Sequence, residues 1–258
     1  MQLSPVAEPA EQAVILPIAG LPEPQILLSV IIPAFNEVKT LEELVKRVIA
    51  APYEKQIILV DDGSTDGTAE LTKQLSGQYP GVQAISHVKN RGKGAAIRTG
   101  LELAQGEFCL IQDADLEYDP EEYANLLPPL IEGEAEVVYG SRYFHGDQGP
   151  FRLFRYGVSL LNLVVRVLYG VRLTDEATCY KVFKTKTLRG LGLRCERFEF
   201  CPEVTAKLCR NHIPIREIPI SYFPRTSNEG KKIRASDGWQ AVKTLMYYRF
   251  FNDPTIRN

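Results

Sequence analysis

Five short apolar runs, at residues 27–33, 56–60, 82–88, 107–112 and 136–139, alternate with polar turns and stretches of helical character. The runs are too short for helices and rich in Val, Ile and Leu, so each reads as a strand. Strand, turn and helix repeated in strict order call for an α/β fold: a mostly parallel central sheet with helices on both faces. Asn36 is placed to cap the first helix, and capping-box spacing at Thr40-Leu41-Glu42-Glu43 offers a later start as the alternative. Asp66 caps a helix to about residue 75, residues 93–104 form a third, and Pro120 opens a fourth. Ligands of such sheets bind outside the carboxyl ends of the strands. Pro33, Asp61-Asp62, Asp113-Ala114-Asp115 and Ser141-Arg142 all fall there.

The second half is less regular. Residues 151–171 form a helix-like apolar stretch interrupted by Arg152, Arg155 and Arg166. Residues 179–184 read as a strand, 202–210 as a helix, 213–223 as a proline-bearing edge strand and 239–251 as a final helix. The basic, glycine-containing segment 226–234 reads as a mobile loop, residues 1–25 as a loose Pro- and Ala-rich arm, and 252–258 as a tail. One domain over 26–251 remains, divided near residue 140.

Charge divides at nearly the same place. The net charge is −2, yet residues 1–150 carry 10 Lys+Arg against 23 Asp+Glu, and residues 151–258 carry 20 against 9. An acidic half suits a metal, and a basic half suits an anionic partner. The five cysteines are odd in number and form no C-x-x-C pair, so reduced thiols are expected, without zinc or disulfides. No signal segment and no membrane-spanning apolar run are read, which points to a cytoplasmic chain.

The most chemically loaded stretch is Cys109-Leu110-Ile111-Gln112-Asp113-Ala114-Asp115, an apolar strand running into carboxylates spaced i, i+2. Within a strand that spacing puts both on one face, where they converge on a hard cation, and Glu117 adds a third oxygen at the same interval. A solvated acidic loop is the plain alternative. At Asp61-Asp62-Gly63-Ser64-Thr65-Asp66, Asp62 is read as a contact to a nucleotide's base or sugar and Asp66 as a helix cap. Asn90-Arg91-Gly92-Lys93-Gly94 opens a helix, where glycines admit phosphate and Lys93 adds a cation. It lacks the third glycine of a dinucleotide fingerprint and the Ser/Thr of a Walker loop.

Together these motifs resemble family-two glycosyltransferases of the Rossmann-like GT-A fold, over about residues 27–251. The likeness rests on Val30-Ile31-Ile32-Pro33-Ala34-Phe35-Asn36-Glu37, Val60-Asp61-Asp62-Gly63-Ser64-Thr65-Asp66, Asn90-Arg91-Gly92-Lys93-Gly94, Asp113-Ala114-Asp115 and Gly140-Ser141-Arg142-Tyr143, in order and spacing. It is nearest to the polyprenyl-phosphate group, such as the dolichyl-phosphate mannose and glucose synthases. The resemblance implies a donor half (26–140) and an acceptor-binding C-terminal extension (141–251). Pro33, Phe35, Glu37 and Asp62 would hold the nucleoside. Asp113 and Asp115, with Glu117, would meet the diphosphate and Mg²⁺ or Mn²⁺. Arg225, Lys231 and Lys232 match a basic loop over the donor diphosphate. Ser141, Arg142, Arg155 and Ser159 match acceptor-phosphate positions, Asp175 stands where some relatives place an acceptor-side acid, and the resemblance makes Asp115, Arg142 and Asp175 the catalytic residues.

The implied reaction is inverting transfer of a hexose from a nucleotide sugar to a polyprenyl phosphate. A polysaccharide or other acceptor, a nucleotidyltransferase and a non-catalytic membrane-docked protein are the competing readings. A nucleotidyltransferase is disfavoured, because its glycine-arginine loop after the first strand is missing. Expected partners are a nucleotide-sugar donor of GDP-mannose or UDP-glucose type, a dolichyl or undecaprenyl phosphate, the cytoplasmic face of a membrane, and a membrane protein or a second copy, with no nucleic acid. Residues 151–171 and Tyr247-Tyr248-Arg249-Phe250-Phe251 suit a membrane interface or an ordinary core equally. His87, His145 and His212 receive no role.

Overall fold

A computed structural model of the chain describes residues 27–144, 152–224, 235–251 and 253. The first half alternates as the sequence predicts: β1 (Leu28–Ala34), α1 (Leu41–Ala50), β2 (Lys55–Asp61), α2 (Thr68–Gln78), β3 (Val82–Ser86), α3 (Lys93–Leu103) and β4 (Phe108–Ile111). A 3-10 turn at Pro120–Glu122 and two short helices, α4 (Tyr123–Leu126) and α5 (Pro128–Ile131), lead to β5 (Val137–Ser141). Then follow α6 (Arg152–Tyr169), β6 (Lys181–Lys184), α7 (Thr185–Gly190), α8 (Phe200–Arg210), β7 (Arg216–Pro219) and α9 (Ala235–Phe250).

The sheet order is β3-β2-β1-β4-β6-β5-β7. Every residue of β1 is buried, as befits a strand with neighbours on both edges and helices on both faces. Pro33 is tolerated in this central strand because pairing with β4 ends at Ile31↔Ile111, before the proline. The chain steps outward from β1 to β3, then returns through α3 to β4 on the other side of β1. Right-handed crossovers put α1 and α2 on one face and α3 on the opposite face. The reversal leaves a crevice at the carboxyl ends of β1 and β4, the place where such sheets bind ligands.

One strand departs from the parallel expectation. β6 runs antiparallel to both β4 and β5, with Leu110↔Val182 and Val138↔Val182 in register. Its reversed direction has a consequence for the site. The segment that enters it, residues 174–180, must lie across the same carboxyl edge as the ends of β4 and β5.

Local starts differ from the sequence reading in a physical way. The N-cap of α1 is Thr40, the later of the two starts that the sequence offered, and no side chain caps that helix. Asn36 sits at φ 53°, and its amide oxygen accepts from Thr65 N at 2.8 Å, so it joins the β1 and β2 loops. Asp66 lies one residue before the α2 cap, Gly67, but does bind the first turn through Thr68 N at 3.1 Å. The edge strand of 213–223 shortens to β7, paired parallel to β5.

Helix α6 packs against α9, which packs on α8. Val158, Leu161 and Val165 face the core, whereas Tyr156, Leu160, Leu163 and Val167 are 53–74% exposed. The helix is therefore core on one side and bare apolar surface on another. Trp239, Met246, Tyr247 and Phe250 of α9 are also exposed. No helix among the described residues is long and apolar enough to cross a membrane. All five cysteines are free.

Candidate active site

The loops after β1, β2 and β4 are sewn together by side chains. Thr40 Oγ1 donates within 3.0 Å of Glu37 Oε2 and 2.9 Å of Ala114 O, which links the β1 loop to the backbone between Asp113 and Asp115. Glu37 N donates to Thr68 Oγ1 at 2.9 Å. Pro33 is buried at the end of β1, and Phe35 and Glu37 lie half-buried just beyond it. The nucleoside-side residues expected from sequence are thus gathered at one rim. Thr40 was not among them; its hydroxyl reads locally as a helix start.

Asp62 behaves differently from its sequence reading. It is 2% exposed, and its carboxylate accepts from Arg91 N at 2.9 Å and Gly92 N at 2.7 Å, with His87 Nδ1 at 2.7 Å. Its visible work is to hold the turn at Asn90–Gly94. That turn is not open to phosphate from all sides either. Gly94 N and Ala95 N, at the start of α3, donate to Arg197 O and Glu196 O. A Cβ on Gly92 or Gly94 would come within 2.5 Å of the 195–196 backbone. These glycines admit another stretch of the chain, not a phosphate, to the helix N-terminus. Lys93 still points to the site, because its Nζ donates to Asp113 Oδ1 and lies 3.5 Å from Cys179 Sγ.

The acidic loop also corrects the sequence geometry. β4 ends at Ile111, so Asp113, Asp115 and Glu117 lie in a bent loop and do not share a strand face. Asp115 Oδ1 accepts from Glu117 N at 3.1 Å, and Glu117 Oε2 accepts from Tyr222 OH at 2.7 Å. Among the described residues no group of three potential ligands is assembled for a metal. Glu117 instead ties the segment after β7 to the acidic loop, aided by Phe223 N donating to Glu117 O at 2.9 Å. The remaining donors still fit a hard cation. Mg²⁺ and Mn²⁺ take carboxylate oxygens, and Mg²⁺ sites typically use one or two of these plus substrate phosphates. Burial alone would raise the Asp113 carboxyl, but the Lys93 ammonium outweighs it and holds the group below its ordinary value. Lys93 in turn, against the opposing effect of burial, is held well above its ordinary value by Asp113.

The basic side is built at the end of β5. Arg142 donates from Nε to Asp175 Oδ2 at 2.7 Å, from Nη2 to Oδ1 at 2.8 Å, and from its backbone N to Oδ2 at 3.0 Å. Its guanidinium lies 5.9, 5.4 and 5.0 Å from the ring centres of Tyr118, Tyr143 and Tyr222. Asp175 is 0% exposed. The resemblance implies a catalytic acid at this position; here the carboxylate is engaged on the buried guanidinium and backbone amide of Arg142, which it positions. Ser141 Oγ is 2.6 Å from Thr174 Oγ1, beside the same pair. Arg155 and Ser159, on α6, share a helix face with Asn162, which bonds to Thr174 O and Glu176 N on either side of Asp175. Arg225, Lys231 and Lys232, with the arm 1–25 and His145, lie outside the described residues.

Tyr118 and Cys179 bring the two sides together. Tyr118 lies against Arg142, its hydroxyl accepts from Cys179 N at 3.1 Å, and Cys179 Sγ lies beside Lys93, the partner of Asp113. The charge of Arg142 also helps to hold the Asp113 carboxyl down. Acidic loop and guanidinium share one site at the carboxyl edge.

The mostly parallel sheet with β6 inserted antiparallel is that of the Rossmann-like GT-A class. The chain belongs to glycosyl transferase family 2, whose family model matches residues 29–190. It is 34% identical over 219 residues to an undecaprenyl-phosphate 4-deoxy-4-formamido-L-arabinose transferase of Pseudomonas fluorescens, covering 81% of this chain and 61% of that one. It is 31% identical over 213 residues to a UDP-N-acetylglucosamine–dolichyl-phosphate N-acetylglucosaminyltransferase of Methanococcus voltae, covering 75% of this chain and 84% of the relative. In structure it is similar to glucosyl-3-phosphoglycerate synthase from Mycobacterium tuberculosis, with a TM-score of 0.67 and 19% identity over 88% of this chain and 81% of that one. The chain spans about three fifths of the length of the arabinose transferases it matches.

Proposed function

We propose that this chain transfers a hexose from a nucleoside-diphosphate sugar to a polyprenyl phosphate, inverting the anomeric carbon. One observation carries the reading: the Asp113–Asp115 loop and the Arg142–Asp175 pair meet in a single site through Tyr118 and Cys179. The names of the relatives, which pair undecaprenyl or dolichyl phosphate with a sugar, support it.

Pro33, Phe35 and Glu37 hold the nucleoside, with Asp62 shaping the adjoining turn. Asp115 and Asp113 would hold Mg²⁺ or Mn²⁺, which would supply positive charge to offset that of the leaving diphosphate. Lys93 carries positive charge on the same side, joined there by Arg225, Lys231 and Lys232 as the resemblance implies. Opposite them, Ser141, Arg142, Arg155 and Ser159 receive the acceptor phosphate. That phosphate is largely ionised near neutral pH, its second pKa being about 6, so it attacks without a strong general base. The burial of Asp175 is consistent with this. Catalysis then reduces to aligning two anions and neutralising the departing one.

The lipid acceptor is reached from a membrane surface. The exposed apolar residues of α6 and α9 and the basic excess of residues 151–258 suit peripheral docking on an anionic cytoplasmic leaflet. The test is a screen of nucleotide sugars with Mg²⁺ or Mn²⁺, with and without undecaprenyl or dolichyl phosphate. Labelled sugar is expected in the lipid extract only when the lipid phosphate is present. Transfer to a water-soluble or polysaccharide acceptor alone, or no turnover of any donor, overturns the reading.

A further inference from the structure

The segment 174–176 carries Asp175, and through it Arg142, yet it belongs to no helix or strand. Side chains from two elements hold its backbone. On one side Glu217 of β7 accepts from Thr174 N at 2.8 Å and Asp175 N at 3.0 Å. On the other side Asn162 of α6 donates from Nδ2 to Thr174 O at 2.7 Å and accepts at Oδ1 from Glu176 N at 2.9 Å. A side-chain amide offers a donor and an acceptor side by side, so Asn162 stands in for a neighbouring strand. No other residue type of that length makes both bonds.

Three faces of α6 give this clamp a purpose. Val158, Leu161 and Val165 anchor the helix in the core, and Tyr156, Leu160, Leu163 and Val167 face outward. Arg155, Ser159 and Asn162, at i, i+4 and i+7, form the strip between them. Asn162 therefore ties the helix that carries the Arg155–Ser159 pair to the segment that holds the Arg142–Asp175 pair.

We propose that Asn162 is a positioning residue for the acceptor phosphate: it sets the 174–176 segment, and so Arg142, relative to Arg155 and Ser159 on α6. This rests on the acceptor reading above and adds a residue to it. It also names which partner of the reaction feels the clamp: the phosphate monoester, not the nucleotide.

The experiment compares wild type with Asn162→Ala, Asn162→Asp and Asn162→Leu by steady-state kinetics, varying donor and polyprenyl phosphate separately. Asn162→Ala is expected to raise the acceptor KM by about tenfold with the donor KM changed less than about twofold, since two hydrogen bonds on the acceptor side are lost. Asn162→Asp keeps the acceptor for Glu176 N but loses the donor to Thr174 O, so it recovers part of the loss, whereas Asn162→Leu recovers none. Equal changes in both KM values, or an acceptor KM unchanged in Asn162→Ala, overturn the proposal. A second readout does not need turnover: hydrogen exchange of the Arg142 Nε–H, followed by NMR. It is expected to quicken in the Ala and Leu variants, and an unchanged rate overturns the clamp. If wild type transfers nothing to a lipid phosphate, the functional reading fails while this exchange measurement still judges Asn162.

Discussion

Asp175 grips Arg142 at three points, through Nε, Nη2 and the backbone amide, and both side chains are nearly closed to solvent. The pair fixes the plane of the guanidinium, and three tyrosine rings around it leave that plane little room to turn. Removing one member of such a pair strands the other charge. Asp175→Asn is expected to destabilise the fold by about 3–5 kcal/mol and to weaken acceptor use more than donor binding. Urea denaturation and nucleotide titration check the two parts. A variant as stable as wild type, with normal acceptor kinetics, removes Asp175 from the account.

Glu176, the next residue, is fully buried, and its Oε2 has no hydrogen-bond partner. Burial raises its carboxyl above the ordinary value, with Lys181 opposing. A carboxyl raised in the folded state contributes stability that is present below the unfolded pKa and lost as pH rises through the folded pKa. Glu176→Gln has no charge to bury. The stability of the Gln variant minus that of wild type is therefore expected to grow as pH rises above the ordinary glutamate range. Denaturation at about pH 4.5 and pH 8 checks the sign, and a difference that shrinks as pH rises contradicts it.

Much of the fold was legible because apolar runs and polar turns alternate regularly in residues 27–144. Asp113, Ser141 and Arg142 could be placed at one edge of the sheet from sequence because they lie at or just beyond strand ends. What sequence could not give was direction and partnership. β6 has the composition of any short strand, and nothing local says that it runs backward and carries Asp175 to the carboxyl edge. The i, i+2 spacing of Asp113 and Asp115 suggested a strand face, but β4 ends first. Gly92 and Gly94 looked like room for phosphate and proved to be room for residues 195–197. Asn162 had one signal, its helical spacing from Arg155 and Ser159, but its partners at 174 and 176 are tertiary.

The outward face of α6 gives a separate expectation. Leu163 and Val167 are 53% and 74% exposed, so charges placed there disturb no core packing. Leu163→Asp with Val167→Asp is expected to leave the melting temperature within about 2 °C of wild type, as for surface substitutions, and to lower binding to anionic vesicles at least about tenfold. Co-sedimentation with phosphatidylglycerol vesicles and a thermal melt check this. Unchanged sedimentation shows that this face does not meet a lipid surface.

The central claim is a division of labour within one site, with the acidic loop handling the nucleotide sugar and the guanidinium presenting the incoming phosphate. The most direct measurement is a kinetic comparison of Asp115→Ala and Arg142→Lys, with Mg²⁺ or Mn²⁺, donor and polyprenyl phosphate each varied alone. Asp115→Ala is predicted to abolish transfer and the metal dependence of nucleotide binding, while Arg142→Lys raises mainly the acceptor KM. Normal turnover in Asp115→Ala, or an Arg142→Lys defect that falls on donor and acceptor alike, would contradict the account.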